Sequence, residues 1–458
     1  MSSLSSNLMA AFETLSTLNH MRVQYPSLLF IAIRYNPYIA VIASDFMLIN
    51  RSYHDIVSSM KVKSIEGGTV TSPKGFLAGA TRAGLKVKGG LDLGILYSEA
   101  PCVAAGLFTT SRIKAAPVLW CQEHIADSKG QAIVVNSGCA NACTGEQGLA
   151  DATAMANLAA KRLGIALEDV LVASTGVIGE RLPIGLIADS IEKVALSPQG
   201  GHELAQAIIT TDTCTKEIAV SVDGSKFIIG GIAKGSGMIH PNLGTLLCFL
   251  ATDSAIDARF LEKALREAVD LSLNMVTIDG DTSPNDTVII LANGMAGNEI
   301  IREGTREAEA FGQALTEVCI YLARRIAGDG EGATKLIEVT VEGALTVADA
   351  RMAARTIAGS PLLKAAVHGC DPNWGRIIAA LGRSGAEIDA SKIALFLNSI
   401  CLMAGGSPSS FDRDSVKMAM AQDEVPIRVC LNMGDSAATA WGCDLTAEYV
   451  AINSEYTT

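Results

Sequence analysis

Short apolar runs alternate with alanine-rich segments of helical spacing, and the alternation persists from residue 60 to the end of the chain. Residues 131–136 (QAIVVN) and 170–173 (VLVA) are continuous apolar stretches of strand length, as a strand covered on both faces requires. Between them, 146–163 is rich in helix formers and stops before Gly164, a natural helix C-cap. Residues 217–222 and 226–232 flank Asp223-Gly224-Ser225 and predict a β-hairpin. Further strands are expected at 245–251 and 335–342, and helices at 257–273, 305–327, 346–357 and 372–382. From about 391 the chain reads as strand-rich, with a looser loop at 404–412. Strands and helices in this order predict an α+β fold with mixed sheets.

Composition narrows the function. Of 458 residues 49% are hydrophobic, enough for a sizeable core and too many for a disordered chain. The net charge of −12 argues against nucleic acid or a basic membrane patch as partner. It leaves room for an anionic small molecule, because one local lysine can overrule a global charge. Eleven cysteines without a CxxC pair read as reduced thiols in a cytosolic setting, most of them buried and inert.

Residues 1–59 differ from the rest. The apolar stretch from Leu28 to Ile49 is broken by Arg34, Pro37 and Asp45, so it makes a poor transmembrane helix and a poor signal peptide. Either this is an appended segment, or Met60 is the true start; the second reading is preferred.

Several familiar sites are missing from the sequence. There is no G-x-S-x-G elbow, no H-E-x-x-H and no Gly-Lys-Ser/Thr loop. The run from Gly328 to Ala333 mimics a dinucleotide fingerprint but follows a predicted helix instead of a strand. Asp279 to Asp286 resembles a calcium loop without the glycine and glutamate such a loop needs; the expectation is a turn whose carboxylates accept backbone N–H bonds.

One segment stands apart. A glycine-dense loop with a single lysine, Lys234, runs through Pro241 and Asn242 to Gly244, then to Thr245 at the head of an apolar run. A hydroxyl following a very small residue, at the start of a buried strand, suits attack on its own preceding carbonyl. Hydrolysis of the resulting ester would free an N-terminal threonine. Its α-amine, with a pKa of about 7.7–8, could serve as general base to its own hydroxyl. By itself this pattern also fits a glycine-rich loop before a core strand.

The loop Lys234-Gly-Ser-Gly-Met-Ile239 with Pro241, Asn242 and Thr245 resembles the self-cleavage motif of the glutamate/ornithine N-acetyltransferase family, the bifunctional proteins of arginine biosynthesis. Other blocks resemble the same family in the same order: 136–145 (NSGCANACTG), 173–179 (ASTGVIG), 210–213 (TTDT), 277–283 (TIDGDTS), 370–376 (CDPNWGR) and 449–458. The likeness runs from about residue 65 to the C-terminus. Gly244 stands where the family usually has alanine, and His240 and Leu243 also depart from the pattern; His240 is read as a loop histidine and not as a base.

The resemblance implies a two-lobed α/β sandwich like that of N-terminal nucleophile hydrolases. It implies a cut between Gly244 and Thr245, giving chains 60–244 and 245–458 assembled as an α₂β₂ heterotetramer. Thr245 would be the nucleophile, and Thr175 and Gly176 the oxyanion hole. Thr210, Lys234, Thr245, Glu331, Asn453 and Thr458 would hold the substrate, with the choice between Thr210 and Thr211 open by one position. The implied reaction moves acetyl from N2-acetylornithine to glutamate, with no metal and no redox cofactor. Some family members also draw acetyl from acetyl-CoA, a point the sequence leaves open. Cytoplasmic location is expected, with neither nucleic acid nor membrane as partner. Two rivals remain: a threonine amidase or aminopeptidase on a related self-cleaving fold, and a binding protein that never cuts itself.

Overall fold

The computed structural model describes residues 61–240 and 246–455. The expectations for residues 1–59, for the Gly244–Thr245 bond and for Thr458 lie outside the described residues.

The α+β class is borne out, with the elements of the described residues sorted into two sheets. The first sheet begins with β1 (Val62–Ser64), β2 (Phe76–Thr81) and the sixteen-residue β3 (Leu93–Phe108). Helix α1 (Ala116–His124) leads to β4 (Lys129–Cys139), α2 (Gly145–Leu163) and β5 (Val170–Val177). Two short helices, α3 (Ile184–Ile191) and α4 (Gly201–Ile208), precede the predicted hairpin of β6 (Lys216–Val222) and β7 (Ile228–Lys234). Then come β8 (Leu247–Thr252), α5 (Ala258–Leu271) and β9 (Thr287–Ala292). The spatial order is β1-β6-β7-β8-β9-β3-β4-β5, with β2 paired to β3.

Local signals explain many boundaries. Helix α2 ends where Gly164 turns left-handed at φ 69°, a conformation that costs glycine nothing. Helix α5 starts at Asp257, whose carboxylate accepts the N–H groups of Arg259 and Phe260. All six residues of β8 and all six of β9 are buried. A strand buried at consecutive positions is covered on both faces, so these two are the centre of the sheet.

The long helix α6 (Arg306–Gly328) packs on β6 and β7 and also on the second sheet, joining the two layers. That second sheet is built from β10 (Leu336–Ala344), β11 (Ala394–Leu397), β12 (Ile400–Ala404), β13 (Ser407–Pro408), β14 (Glu424–Cys430) and β15 (Ser436–Cys443), in the order β13-β12-β11-β14-β10-β15. Its helices are α7 (Val347–Ala358), α8 (Pro361–His368), α9 (Gly375–Gly382), α10 (Arg413–Met420) and a final α11 (Ala447–Glu455). The loop expected at 404–412 contains a short pairing, Met403 with Pro408 and Ala404 with Ser407. Helix α9 starts three residues later than predicted, because Cys370 adopts φ 51° and the N–H of Asn373 turns back to Asp371. All eleven cysteines are free, seven of them buried; burial pushes the thiols of Cys102, Cys121 and Cys319 up to about 12. Among the described residues no helix is long and apolar enough to cross a membrane.

Candidate active site

Strands β4 and β5 run parallel, and at their ends the register slips, so that Cys139 faces both Thr175 and Val177. The slip needs glycine. Gly176 sits at φ 131°, and a Cβ there would collide with the backbone of Gly138. The turn is fixed from behind: the Ser174 hydroxyl donates to Asn136 Oδ1 at 2.6 Å, and Asn136 Nδ2 donates to the Cys139 carbonyl at 2.9 Å. Thr175 and Gly176 thus stand at the irregular end of the β4–β5 ladder.

Lys234 is the last residue of β7 and pairs across the ladder with Leu247 of β8. It is only 5% exposed and forms no ion pair among the described residues. Beyond it, Gly237 is a close approach: a Cβ there would come within 2.5 Å of the Glu331 carboxylate. Glu331 is anchored through its N–H to the Ser236 carbonyl at 2.8 Å. Its carboxylate accepts Asn453 Nδ2 at 2.7 Å, which ties α11 to the site. That helix is further held by Thr446, whose hydroxyl donates to the Gly332 carbonyl at 2.8 Å.

The segments 210–213, 234–235 and 329–331 are gathered by one buried ionic triad. Lys216 Nζ lies 2.6 Å from Asp212 and 2.5 Å from Asp329, and the side chains of Lys216 and Asp212 are wholly buried. Asp212 also accepts the N–H groups of Gly235 at 2.7 Å and Thr210 at 3.1 Å, while Asp329 accepts that of Thr213. Burial alone would raise the Asp212 carboxyl, but the charges of Lys216 and Lys234 outweigh it and hold the group below the ordinary range. Burial likewise works to lower Lys216, and the two carboxylates overcome it and raise the ammonium pKa.

Six of the residues singled out in the sequence, Thr175, Gly176, Thr210, Lys234, Glu331 and Asn453, line one cavity of about 110 Å³. Thr211 lines it too, but its hydroxyl is already bonded to Ser236 Oγ at 2.7 Å. Gly244, Thr245 and Thr458 fall outside the described residues. Leu246, the residue after Thr245, lies just before β8; its N–H donates to Asp286 Oδ1 at 3.0 Å. His240 does not line the cavity; it bonds the Thr277 hydroxyl at 3.3 Å, and burial, aided by Arg355, lowers its pKa.

The sequence reading passed over Ser283 and Asn285, which also line the cavity. They belong to the stretch expected to form a carboxylate-rich turn. That expectation holds for Asp279, which accepts the N–H groups of Met238 and Ile239, and for Asp286. Among the described residues no cluster of side chains could hold a metal ion. A larger cavity of about 480 Å³ lies beside α6, lined by Arg324, Arg325 and Lys335, but contains none of the sequence-predicted residues.

A lysine, a glutamate and the Thr175–Gly176 turn line one small cavity, a set of groups that suits a zwitterion carrying an acyl group. The chain is 53% identical over 395 residues to the arginine biosynthesis bifunctional protein ArgJ of Dehalococcoides mccartyi (strain CBDB1), covering 85% of this chain and 98% of that one. Among solved structures, the arginine biosynthesis bifunctional protein argJ of Bacillus halodurans aligns at 42% identity over 44% of this chain and 96% of its own, with TM-score 0.44. The ornithine acetyltransferase of Mycobacterium tuberculosis, complexed with ornithine, aligns at 38% identity over 41% of this chain and 100% of its own, with TM-score 0.38. The ArgJ family model matches residues 77–458, so the chain belongs to the ArgJ family of bifunctional arginine-biosynthesis enzymes.

Proposed function

We propose that this enzyme transfers the acetyl group of N2-acetylornithine to glutamate through an acetyl-Thr245 ester. The observation that carries the reading is the single cavity uniting Thr175, Gly176, Thr210, Lys234, Glu331 and Asn453 from five distant stretches of sequence. Thr245 is one residue from Leu246, whose partner Asp286 adjoins the cavity-lining Asn285.

The proposed cycle starts with self-processing. The Thr245 hydroxyl attacks the Gly244 carbonyl, the peptide C–N bond breaks, and water hydrolyses the ester to leave a free threonine α-amine. In turnover the amine takes the hydroxyl proton as oxygen attacks the acetyl carbonyl. The Thr175 hydroxyl and the Gly176 N–H receive the developing oxyanion, each such donor being worth about 2.7–4 kcal/mol. The proton then passes to the departing ornithine amine. Glutamate attacks the ester by the reverse steps, giving N-acetylglutamate and free Thr245. Lys234 supplies a point charge for the substrate carboxylate, and Glu331, steadied by Asn453, meets the distal ammonium of ornithine. Thr210 is preferred over Thr211 because the latter's hydroxyl is engaged. Thr458 would complete the polar clamp. As written, the cycle uses no metal or redox cofactor; acetyl-CoA would load the same ester as an alternative donor, the second activity of a bifunctional enzyme.

A cut before Thr245 would not separate the products. Strand β8, from the second chain, pairs with β7 of the first over six register positions, and β9 pairs with β3 over six more. The two chains would share one sheet, the basis for an α₂β₂ assembly, and the free thiols suit the cytoplasm.

Intact mass of the purified protein, with acetyl transfer to glutamate or to water, tests the reading. The expected result is two fragments, strict dependence on glutamate, and a Thr245→Ala variant that neither cuts nor transfers. An uncut active protein, or Thr245→Ala turning over at the parental rate, overturns it. Release of acetate to water at a comparable rate would favour the amidase.

A further inference from the structure

We propose that Asp286 is a positioning residue for the nucleophile: its carboxyl holds the backbone of the residue that follows Thr245, while its neighbour Asn285 holds the turn that carries Thr175 and Gly176. The inference rests on the assignment of Thr245 given above. It concerns two adjacent side chains for which the catalytic cycle has no use.

The Leu246 backbone is gripped on both sides. Its N–H donates to Asp286 Oδ1 at 3.0 Å, and its carbonyl accepts the N–H of Thr287 at 3.0 Å. Asn285 reaches the other way. Its Nδ2 donates to the carbonyls of Ala140 at 2.6 Å and Ser174 at 2.9 Å. Those two donations fix the orientation of the amide, since a flipped oxygen would face two carbonyl oxygens. Ser174 immediately precedes Thr175, so one dipeptide links the residue after the nucleophile to the residue before the oxyanion donors.

The dipeptide is itself anchored. The N–H of Asn285 donates to Ser283 Oγ at 3.0 Å, the Ser283 carbonyl accepts the Thr109 hydroxyl at 2.7 Å, and the N–H of Thr109 donates to the Asp286 carbonyl at 3.0 Å. Thr109 directly follows β3, which pairs with the central strand β9, so the link is referenced to the sheet.

Among the described residues, two atoms in this arrangement are buried without a hydrogen-bond partner, Asn285 Oδ1 and Asp286 Oδ2. Buried polar atoms left unpaired are costly, and functional sites are where that cost is tolerated. Burial pushes the Asp286 carboxyl well above its ordinary range, against the opposing effects of the Leu246 N–H and the Lys234 charge. A raised pKa favours the neutral form, which can hold Leu246 without adding a negative charge beside a developing oxyanion. Asparagine has the same shape, one acceptor oxygen and no charge.

The test compares Asp286→Asn, Asp286→Ala and Thr245→Ala in the full-length protein. The readouts are the extent of self-cleavage by intact mass, kcat and KM for transfer, and the thermal midpoint. Asp286→Asn is expected to cut and turn over within about threefold of the parent. Asp286→Ala is expected to lose about a hundredfold in cleavage rate and kcat with KM little changed, as when reacting groups are displaced by about 1 Å. An Asp286→Ala protein with parental kcat overturns the proposal, as does an inactive Asp286→Asn protein, which would mean that the charge is needed. If Asp286→Ala does not fold, the Asn variant decides alone by the same criterion. Thr245→Ala separates the layers: transfer without Thr245 sinks the underlying assignment, whereas an inert Thr245→Ala beside a parental Asp286→Ala sinks only this inference.

Discussion

The two walls of the cavity are built on opposite electrostatic plans. The wall around Thr175, Gly176, Asn285 and Asp286 is held by hydrogen bonds among neutral groups, and burial pushes the Asp286 carboxyl well above its ordinary range. The wall around Thr210, Lys234 and Glu331 is organised by the buried Asp212–Lys216–Asp329 triad, where opposite charges favour the ionised forms of Asp212 and Lys216. The difference follows the chemistry proposed for each. An oxyanion forms at the first wall, where a fixed negative charge would oppose it and oriented dipoles favour it. A charged amino acid must be bound at the second, where ionised groups need firm partners to survive burial. Neighbouring groups, not depth, set the sign of each shift: Asp212 and Asp286 are both deeply buried, yet their pKa values move in opposite directions.

Removing the hub of the ionic wall should have the largest effect. Lys216→Met leaves Asp212 and Asp329 buried and facing each other, and should lower the unfolding free energy by about 3–5 kcal/mol, measured by urea denaturation at pH 7. The pH dependence gives an independent check. In the parent the Asp212 pKa is depressed, so its contribution is present above the unfolded value of about 3.9 and is lost as pH falls through the folded value. In the variant, only Lys234 and the Gly235 N–H oppose burial and the charge of Asp329, so the folded pKa should rise and less stability should be lost in acid. The gap between the two proteins should therefore narrow in acid; a gap that widens there would show that the triad does not govern this wall.

The neutral wall should respond in kcat rather than in stability. Thr175→Ala removes one donor and should lower kcat by about 10²–10³, with KM and the denaturation midpoint close to parental. Thr175→Ser keeps the hydroxyl and should recover most of the rate. If the loss appears in KM instead, Thr175 binds substrate and the contrast between the walls fails.

Much of the frame could be read from local sequence, and the site much less so. Gly164 marks the end of α2, Asp223-Gly224-Ser225 the hairpin, and Asp257 the start of α5, because each acts within a few residues of itself. Helix α1 went unread: Ala116, Pro117, Val118, Trp120 and Cys121 are all buried, so no apolar stripe stands out against a polar one. The proposed site residues came from motif blocks, not from periodicity. The groups supporting them left no local trace. Lys216 meets Asp329 across 113 positions, and Asn285 meets Ala140 across 145 and Ser174 across 111. A contact at such range is created by the sheet order, which places β8 and β9 between β7 and β3.

The smallest expected effect lies on the ionic wall and settles a one-residue ambiguity. Thr210 and Thr211 both line the cavity, yet among the described residues only Thr211 has its hydroxyl committed, to Ser236 Oγ at 2.7 Å. Thr211→Val would strand the Ser236 hydroxyl, whose residue is completely buried, so its cost should appear as a stability loss of about 1–3 kcal/mol with KM nearly unchanged. Thr210→Val deprives only the substrate, so the loss of about 1 kcal/mol should appear as a roughly fivefold rise in KM for N2-acetylornithine at constant kcat and stability. The two substitutions are chemically identical and one position apart, so general damage to the segment would affect both alike. A reversed pattern would move the substrate contact to Thr211 and make Ser236 part of the binding wall.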